Sequence, residues 1–197
     1  MNEKKVKLII KNQQSIEIVN LNPEENHICM YDELAISFVS DNKCHVLYRD
    51  VILGDLRIFR DVLKYVVDNQ LNTDESIELD LGFHWNEYLH DLSTDEKTNK
   101  KDLSRYLLWS SGPEKAYSTW FYNKDNEIIL EISPDYPWHF IEPKEEEAFD
   151  SYDEWMKNYK PLFLGQVDKA TAQKWIRQID EILIQMDKDE LRHKETE

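Results

Sequence analysis

Glycine and long apolar runs are both scarce in this chain, and each scarcity excludes a class of protein. Only four glycines occur among 197 residues, and neither GxGxxG nor GxxxxGK(S/T) is present. A glycine-rich phosphate loop is therefore excluded. No apolar run approaches the roughly 18 residues of a membrane span. The lysine-containing start lacks an apolar stretch and a small-residue cleavage site, so we expect no signal peptide.

Basic residues are also in deficit, and this bears on partners. The chain has 24 lysines and arginines against 40 acids, a net charge of −16. A basic footprint for phosphates is absent, which argues against direct binding to nucleic acid or to an anionic membrane. We expect a cytoplasmic protein, and the partner that its charge favours is a basic protein. The sequence leaves its oligomeric state open.

Cysteine is limited to Cys29 and Cys44. Two cysteines are too few for a disulfide framework, and two reduced thiols in a cytoplasmic protein are the expected reading. One bridge between them stays open. With His27 and His45 they make a Cys₂His₂ set, but the spacing is not that of a zinc finger, and cysteine is commonly a small core residue.

What the chain does have is enough apolar residues for a core, at 41% of the composition. Alternation of apolar and polar residues around polar turns predicts hairpins. A further strand is expected over Ile77, Leu79 and Leu81. The predicted hairpin pairs are Val6–Ile10 with Ile16–Asn20, Leu34–Val39 with His45–Ile52, and Tyr117–Tyr122 with Glu127–Ile132.

Three helices follow from a different spacing. Leu56, Phe59, Leu63 and Val66 recur at three- and four-residue steps, with Asp55 as the expected N-cap. Residues 151–154, Ser-Tyr-Asp-Glu, fit a capping box that opens a short helix. The last helix is expected to begin after Asp168 and to carry Trp175 and Ile179 on one apolar face.

These elements predict an α+β fold, an antiparallel sheet built from hairpins with about three helices packed mainly on one face. Residues 1–187 are expected to form a single α+β domain. Residues 188–197 are expected to form a charged, frayed tail.

The most distinctive segment is 125–154, which holds eleven acids and one lysine and so carries −10 of the net charge. Its outer thirds belong to a predicted hairpin and a predicted helix, which leaves the middle unexplained by folding. A stiff, aromatic, acidic stretch suits an interaction surface, since little entropy is lost on binding. The predicted binding residues are Asp135, Tyr136, Trp138, Glu142, Glu145, Glu146 and Glu147.

Two alternatives within this segment stay open. Trp138 and Phe140 either pack on the sheet, which we favour, or stand exposed as contact residues. Asp135 and His139 either sit in a cleft or are surface groups of a rigid loop, and the surface reading is favoured.

The most ligand-like cluster is His84-Trp-Asn-Glu87-Tyr-Leu-His90. On a helix the two histidines lie on different faces, and on a strand they lie roughly 20 Å apart, too far for one metal. Only His84 and Glu87 are able to converge. No nucleophile signature is present either, since Ser110-Ser111-Gly112 lacks flanking motifs. We therefore predict no metal, no cofactor and no catalytic residues.

Tyr159 and Trp175 lie among aliphatic neighbours at helical spacing, as does Trp155, so packing is their expected role. In size, acidity and lack of catalytic motifs, and in its pattern of Trp155–Tyr159 and Trp175–Ile179, the chain resembles small acidic immunity-type proteins and uncharacterised proteins of bacteria. This resemblance implies inhibition by occlusion of a toxin.

Three functions are weighed. The preferred one is an acidic protein-binding module, of immunity type, that neutralises a basic partner such as a toxin by occlusion. The second is an enzyme with a site assembled from sequence-distant residues, which a deep pocket holding His84, Glu87 or His139 would favour. The third is a structural or regulatory module that self-associates through the C-terminal helix. We expect that the protein is not an enzyme.

Overall fold

The structure is a computed structural model that describes residues 5–11, 13–22, 28, 33–51, 53–74, 77, 80–94, 103–110, 117–144 and 148–196. Contacts divide the chain into two compact units, Met1–Gln70 with Val167–Glu197, and Leu71–Gln166. The expectation of a single domain stays a prediction. In chain order the strands and helices are β1 Lys5–Lys11, β2 Gln14–Asn20, β3 Glu33–Ser40, β4 Lys43–Val51, α1 Leu53–Val67, α2 Leu81–Ser93, β5 Leu107–Ser110, β6 Tyr117–Lys124, β7 Glu127–Pro134, α3 Tyr152–Lys157, β8 Phe163–Val167 and α4 Lys169–Thr196.

The first unit contains one four-stranded sheet in the order β1-β2-β3-β4, with α1 and α4. The register pairs Leu8 with Ile16 and Ile16 with Phe38, so their side chains share one buried face. Helix α4 packs against α1 and contacts β1, where the Trp175 indole N–H donates to the Ile9 carbonyl at 3.2 Å.

The second unit contains the sheet β5-β6-β7-β8, a 3₁₀ turn at Ser104–Tyr106, and the helices α2 and α3. Strands β6 and β7 form a hairpin whose turn residues Asp125 and Asn126 have φ of 53° and 64°. Positive φ at both positions suits a tight turn between twisted strands. Trp120 and Glu131 lie opposite each other and point to the face on which α2 packs.

The α+β class and its antiparallel hairpins are confirmed. Helices α1 and α4 are present where their apolar spacing predicts them, and the capping box of Ser151 and Glu154 is present. Asp168 caps α4 by accepting the backbone N–H of Thr171 at 2.8 Å. The apolar or capping pattern was sufficient at these places because each element presents its apolar residues at one clear spacing.

The structure also corrects several expectations. The described residues form two sheets rather than one, and the helices are not gathered clearly on one face. Leu81 opens helix α2 instead of ending a strand, because Asp80 is an N-cap that accepts the Phe83 N–H. Helix α1 begins at Leu53, two residues before the expected N-cap Asp55.

Two further expectations concern the C-terminal tail and the loop that follows α2. Helix α4 continues to Thr196, across the predicted frayed tail. The polar composition of residues 94–102 predicts an exposed loop; Thr94 is the C-cap of α2, and residues 95–102 lie outside the described residues. Within the part of the chain that is described, we find no helix of the length and hydropathy that crossing a membrane requires.

Candidate functional site

The predicted binding residues belong to the segment 135–151, which joins β7 to α3 in the second unit and is called the β7–α3 segment below. The structure separates these residues. Asp135 and Tyr136 are buried, Trp138 is partly buried and Glu142 is exposed. Glu145, Glu146 and Glu147 lie outside the described residues. Asp135 and Tyr136 therefore do not belong to an exposed contact surface.

Asp135 is an internal group. The Ser118 hydroxyl lies 2.7 and 2.6 Å from its two carboxylate oxygens and donates to them. Burial raises the pKa of Asp135 to about 7, against the lowering effect of hydrogen bonds from Ser118 and Ser110. The favoured reading of Asp135 as a surface group is wrong, because the side chain folds back onto β6 rather than outward.

Tyr136 anchors both ends of the segment. Its backbone N–H donates to Asn86 Oδ1 at 2.7 Å, and its hydroxyl donates to the Asp150 carbonyl at 2.9 Å. The Asn86 amide nitrogen donates in turn to the carbonyls of Gly82 and Pro134. One buried asparagine of α2 therefore holds the end of β7 and the start of the segment in a fixed place.

His139 completes this internal side of the segment. It is buried, with Nε2 3.4 Å from Asn86 Oδ1, and its ring packs beside Tyr136 and Tyr152. Burial, followed by the nearby His90, lowers the pKa of His139 to about 4. The favoured surface reading of His139 is therefore also wrong.

The outer side of the segment exposes apolar residues. Phe140 is 66% exposed, Ile141 43% and Phe149 53%. Trp138 contacts the Phe149 ring edge-to-face at a centroid distance of 6.4 Å. Packing on the sheet, the favoured role for both Trp138 and Phe140, is wrong for Phe140. Trp138 is partly buried and contacts Phe149, so its packing on the sheet stays a prediction.

Acids accompany these apolar residues. Glu142 and Asp150 are exposed on the same segment, and Asp153 and Glu154 are exposed in the first turn of α3. We call the set of Phe140, Ile141, Glu142, Phe149 and Asp150 the exposed segment surface. Of the eleven acids in 125–154, Glu131 and Asp135 are buried and do not contribute to it.

The histidines of α2 are arranged as their spacing in the sequence predicts, on different faces of the helix. His84 Nδ1 lies 3.3 Å from Glu87 Oε2, as anticipated for residues three apart on a helix. His90 instead stacks on Tyr152 at a centroid distance of 3.8 Å. Among the described residues, no group of three or more His, Cys, Asp or Glu is arranged to hold a metal ion. Cys44 is exposed as a free thiol, and Cys29 lies outside the described residues.

A second polar centre, which sequence reasoning missed, surrounds the buried Glu131 of β7. Its carboxylate accepts the backbone N–H groups of Leu81 and Gly82 at 2.9 and 2.7 Å. The hydroxyls of Tyr122 and Ser133 donate to it at 3.0 and 2.7 Å. Two of its four donors are thus the free N–H groups at the start of α2, where negative charge is favoured.

Electrostatics at this centre are strongly perturbed. Burial raises the pKa of Glu131, while the hydrogen bonds from Ser133, Gly82 and Leu81 oppose the rise. Burial and the charge of Glu131 raise the pKa of Tyr122, so its phenol stays a proton donor. The Tyr159 hydroxyl donates to Asp80 Oδ1 at 2.6 Å. The pKa of Tyr159 is raised, mainly by burial and secondly by this hydrogen bond.

Beside this centre the second unit has an open groove with a volume of about 480 Å³. Asp80 and Tyr122 belong to both the polar centre and the groove. Lys124, Ile129, Leu164 and Gln166 line the rest. None of His84, Glu87 or His139 lines it, so the pocket that would have favoured an enzyme at those residues is not this one.

The sequence signal for Glu131 was its place among isoleucines and a leucine in residues 128–132, where alternation puts it on the other face of the strand from Leu130 and Ile132. The partners of Glu131 come from residues 81, 82 and 122, which local patterns do not connect. The structure thus defines an α+β protein with an anchored acidic segment and, in the same unit, a groove beside Asp80 and Tyr122. No protein-family model, curated protein or solved structure matches the chain.

Proposed function

We propose that the chain is an acidic protein-binding module that neutralises a basic protein partner, such as a toxin, by covering its surface. The observation that carries the proposal is Phe140, 66% exposed beside the exposed Ile141 on an anchored segment. Large apolar side chains on a stiff backbone bind with little loss of conformational entropy. Aromatic residues at the centre of a patch commonly supply most of its binding free energy.

Charge supplies the choice of partner. Glu142 and Asp150 accompany the apolar residues, and Asp153 and Glu154 follow in α3. A protein with net charge −16 repels acidic surfaces and attracts basic ones over roughly a Debye length. A basic patch with an apolar centre is therefore the complement of the exposed segment surface, and complementary charge speeds its association.

The self-association alternative gains less support. The apolar face of α4 is occupied within the first unit, where Trp175, Ile179, Leu183 and Met186 are buried. A helix that already packs this face on its own unit does not offer it to a second copy.

The test is capture of a partner from a lysate of the encoding organism by the full chain at about 50 and 300 mM NaCl. The expected partner is a single protein of high pI, retained at low salt and lost at high salt. Its retention should fall at least ten-fold when Phe140→Ala and Ile141→Ala are combined. The matched control combines Ile58→Ala and Tyr65→Ala, which are similarly exposed at 49% and 52% on α1.

A second pair of variants tests the charge. Glu142→Lys should weaken capture, whereas Asp68→Lys, which changes the net charge equally at an exposed site on the first unit, should not. Retention of the same partner by the Phe140→Ala, Ile141→Ala variant at wild-type level would refute the proposal. So would a partner that binds equally at both salt concentrations.

A further inference from the structure

We propose that the groove beside Asp80 and Lys124 binds a small zwitterion with an apolar body, of the class of an apolar α-amino acid. The groove volume of about 480 Å³ falls within the roughly 300–1,000 Å³ of small-molecule sites. This inference concerns a different surface from the exposed segment surface and does not depend on the protein-binding proposal.

The apolar part of the ligand is set by the floor of the groove. Leu164 of β8 is 53% exposed and lies there with Ile129 of β7. Tyr122 pairs directly with Ile129 across the hairpin, so the phenol ring and the aliphatic side chain share this face. An apolar ligand group that covers these side chains gains about 25 cal/mol for each Å² removed from water.

The charged part of the ligand is set by two side chains of opposite charge that line the same groove, Asp80 and Lys124. Asp80 accepts the Phe83 N–H at 2.7 Å and the Tyr159 hydroxyl at 2.6 Å, both on Oδ1. No donor among the described residues reaches its Oδ2. Among the described residues, Lys124 Nζ donates one long hydrogen bond of 3.5 Å, to the Ile77 carbonyl, and forms no ion pair with a carboxylate.

Electrostatics then discriminate among ligand classes. A simple amine would meet Asp80 but be repelled by Lys124, and a simple carboxylate would meet Lys124 but be repelled by Asp80. A ligand that carries both an ammonium and a carboxylate can pair its ammonium with Asp80 and its carboxylate with Lys124. Asp80 is held in place by its role as N-cap of α2, so little ordering is required on that side of the groove.

The test is titration of the full chain, followed by ¹H–¹⁵N correlation spectra, with three probes that share a phenyl ring. These are L-phenylalanine, phenethylamine and 3-phenylpropionate. We expect L-phenylalanine to shift the amide signals of Lys124, Ile129 and Leu164 saturably. The cation and the anion should bind at least about ten-fold more weakly, which corresponds to 1.4 kcal/mol.

Variants make the outcome decisive. Lys124→Met should abolish the preference for the zwitterion over the amine, while Lys64→Met on α1 leaves it unchanged. Leu164→Ala should weaken L-phenylalanine binding several-fold, and Ile184→Ala, equally exposed on α4, should have no effect. The spectra report folding directly, so if one variant unfolds the other still tests the site.

Three results would overturn the inference. One is the absence of saturable shifts at groove residues with all three probes. The second is equal binding of the three probes by the wild-type chain. The third is unchanged selectivity in a folded Lys124→Met variant.

Discussion

Gly82 shows how one residue permits the close approach of α2 to β7. A Cβ at this position would overlap Ser133 Cβ and lie 2.6 Å from Tyr159 Oη. Replacing a helical glycine with alanine ordinarily stabilises a helix by roughly 0.5–1 kcal/mol. Here the sign should reverse, because Ser133 belongs to a strand and cannot easily yield.

We predict that Gly82→Ala lowers the free energy of unfolding by about 2–3 kcal/mol, measured by urea denaturation. Gly165→Ala is the control, because its added Cβ meets only the far end of the Phe163 ring, which can turn away. An equal or larger loss in Gly165→Ala would contradict this explanation.

Asp135 makes stability depend on pH. Its carboxyl has a pKa of about 7 in the folded chain and an ordinary value of 3.8. Below pH 3.8 it is protonated in both states, and between 3.8 and 7 only the unfolded chain ionises. Its contribution to stability is therefore present at low pH and lost as the pH rises to about 7. The difference is on the order of 4 kcal/mol.

We predict that Asp135→Asn removes this contribution, so that the variant gains stability relative to the wild type between pH 4.5 and 8. Comparison with the wild type at each pH cancels the contribution of His139, which has the opposite sign. The pKa of His139 is lowered from 6.5 to about 4, so its contribution is lost as the pH falls through that range. Urea denaturation at several pH values measures the effect, with the exposed Glu142→Gln expected to follow the wild type. A constant difference between Asp135→Asn and the wild type would refute it.

At the scale of elements, the buried Glu131 joins β7 to the start of α2. All four groups that hydrogen-bond to its carboxylate are donors, and two of them are backbone N–H groups whose direction is fixed by the helix. A glutamine at this position must direct its NH₂ group toward one of those N–H groups. The change is nearly isosteric, but it removes the negative charge and one acceptor oxygen, so it should be costly.

We predict that Glu131→Gln lowers the free energy of unfolding by about 3 kcal/mol, since it leaves a buried donor unpaired. Glu127→Gln, on the same strand but exposed, should change it by less than about 0.5 kcal/mol. Urea denaturation and amide exchange at Leu81 and Gly82 measure both effects. Unchanged protection of these two amides in Glu131→Gln would count against the assigned role.

Among the helices, α2 was the one that sequence patterns missed. Its buried face includes Leu81, Gly82 and Asn86, so a glycine and a polar amide stand where an apolar spacing would have signalled a helix. Asn86 is buried because Gly82, Pro134 and Tyr136 satisfy its amide. Those partners lie up to fifty residues away, beyond the range of any local pattern.

At the scale of the whole molecule, two compact units each contain a sheet and helices. The single-domain prediction expects them to unfold in one cooperative transition. Trp175 lies in the first unit and Trp120 in the second, and both are buried. Single-tryptophan variants that retain one or the other should give coincident urea transitions by fluorescence and circular dichroism. Separated midpoints would show two independently folding domains.

The sequence by itself determined the secondary structure wherever one spacing was repeated. The alternation in the β6–β7 hairpin, the apolar stripe of α4 and the capping box at Ser151 each require only neighbouring residues. It also determined the acidity of 125–154 and the scarcity of glycine that excludes a phosphate loop. Net charge and composition are the same whatever fold the chain adopts.

Only the tertiary structure decided which polar residues face inward. Asp135, His139 and Glu131 are buried, whereas Phe140, expected to pack, is exposed. Burial of a charged group depends on hydrogen-bond partners from distant segments, here Ser118, Asn86 and the first N–H groups of α2. Phe140 lies four residues after Tyr136, whose backbone N–H is held by Asn86, a residue fifty positions earlier in the chain. Such partnerships arise from packing, which local spacing does not encode.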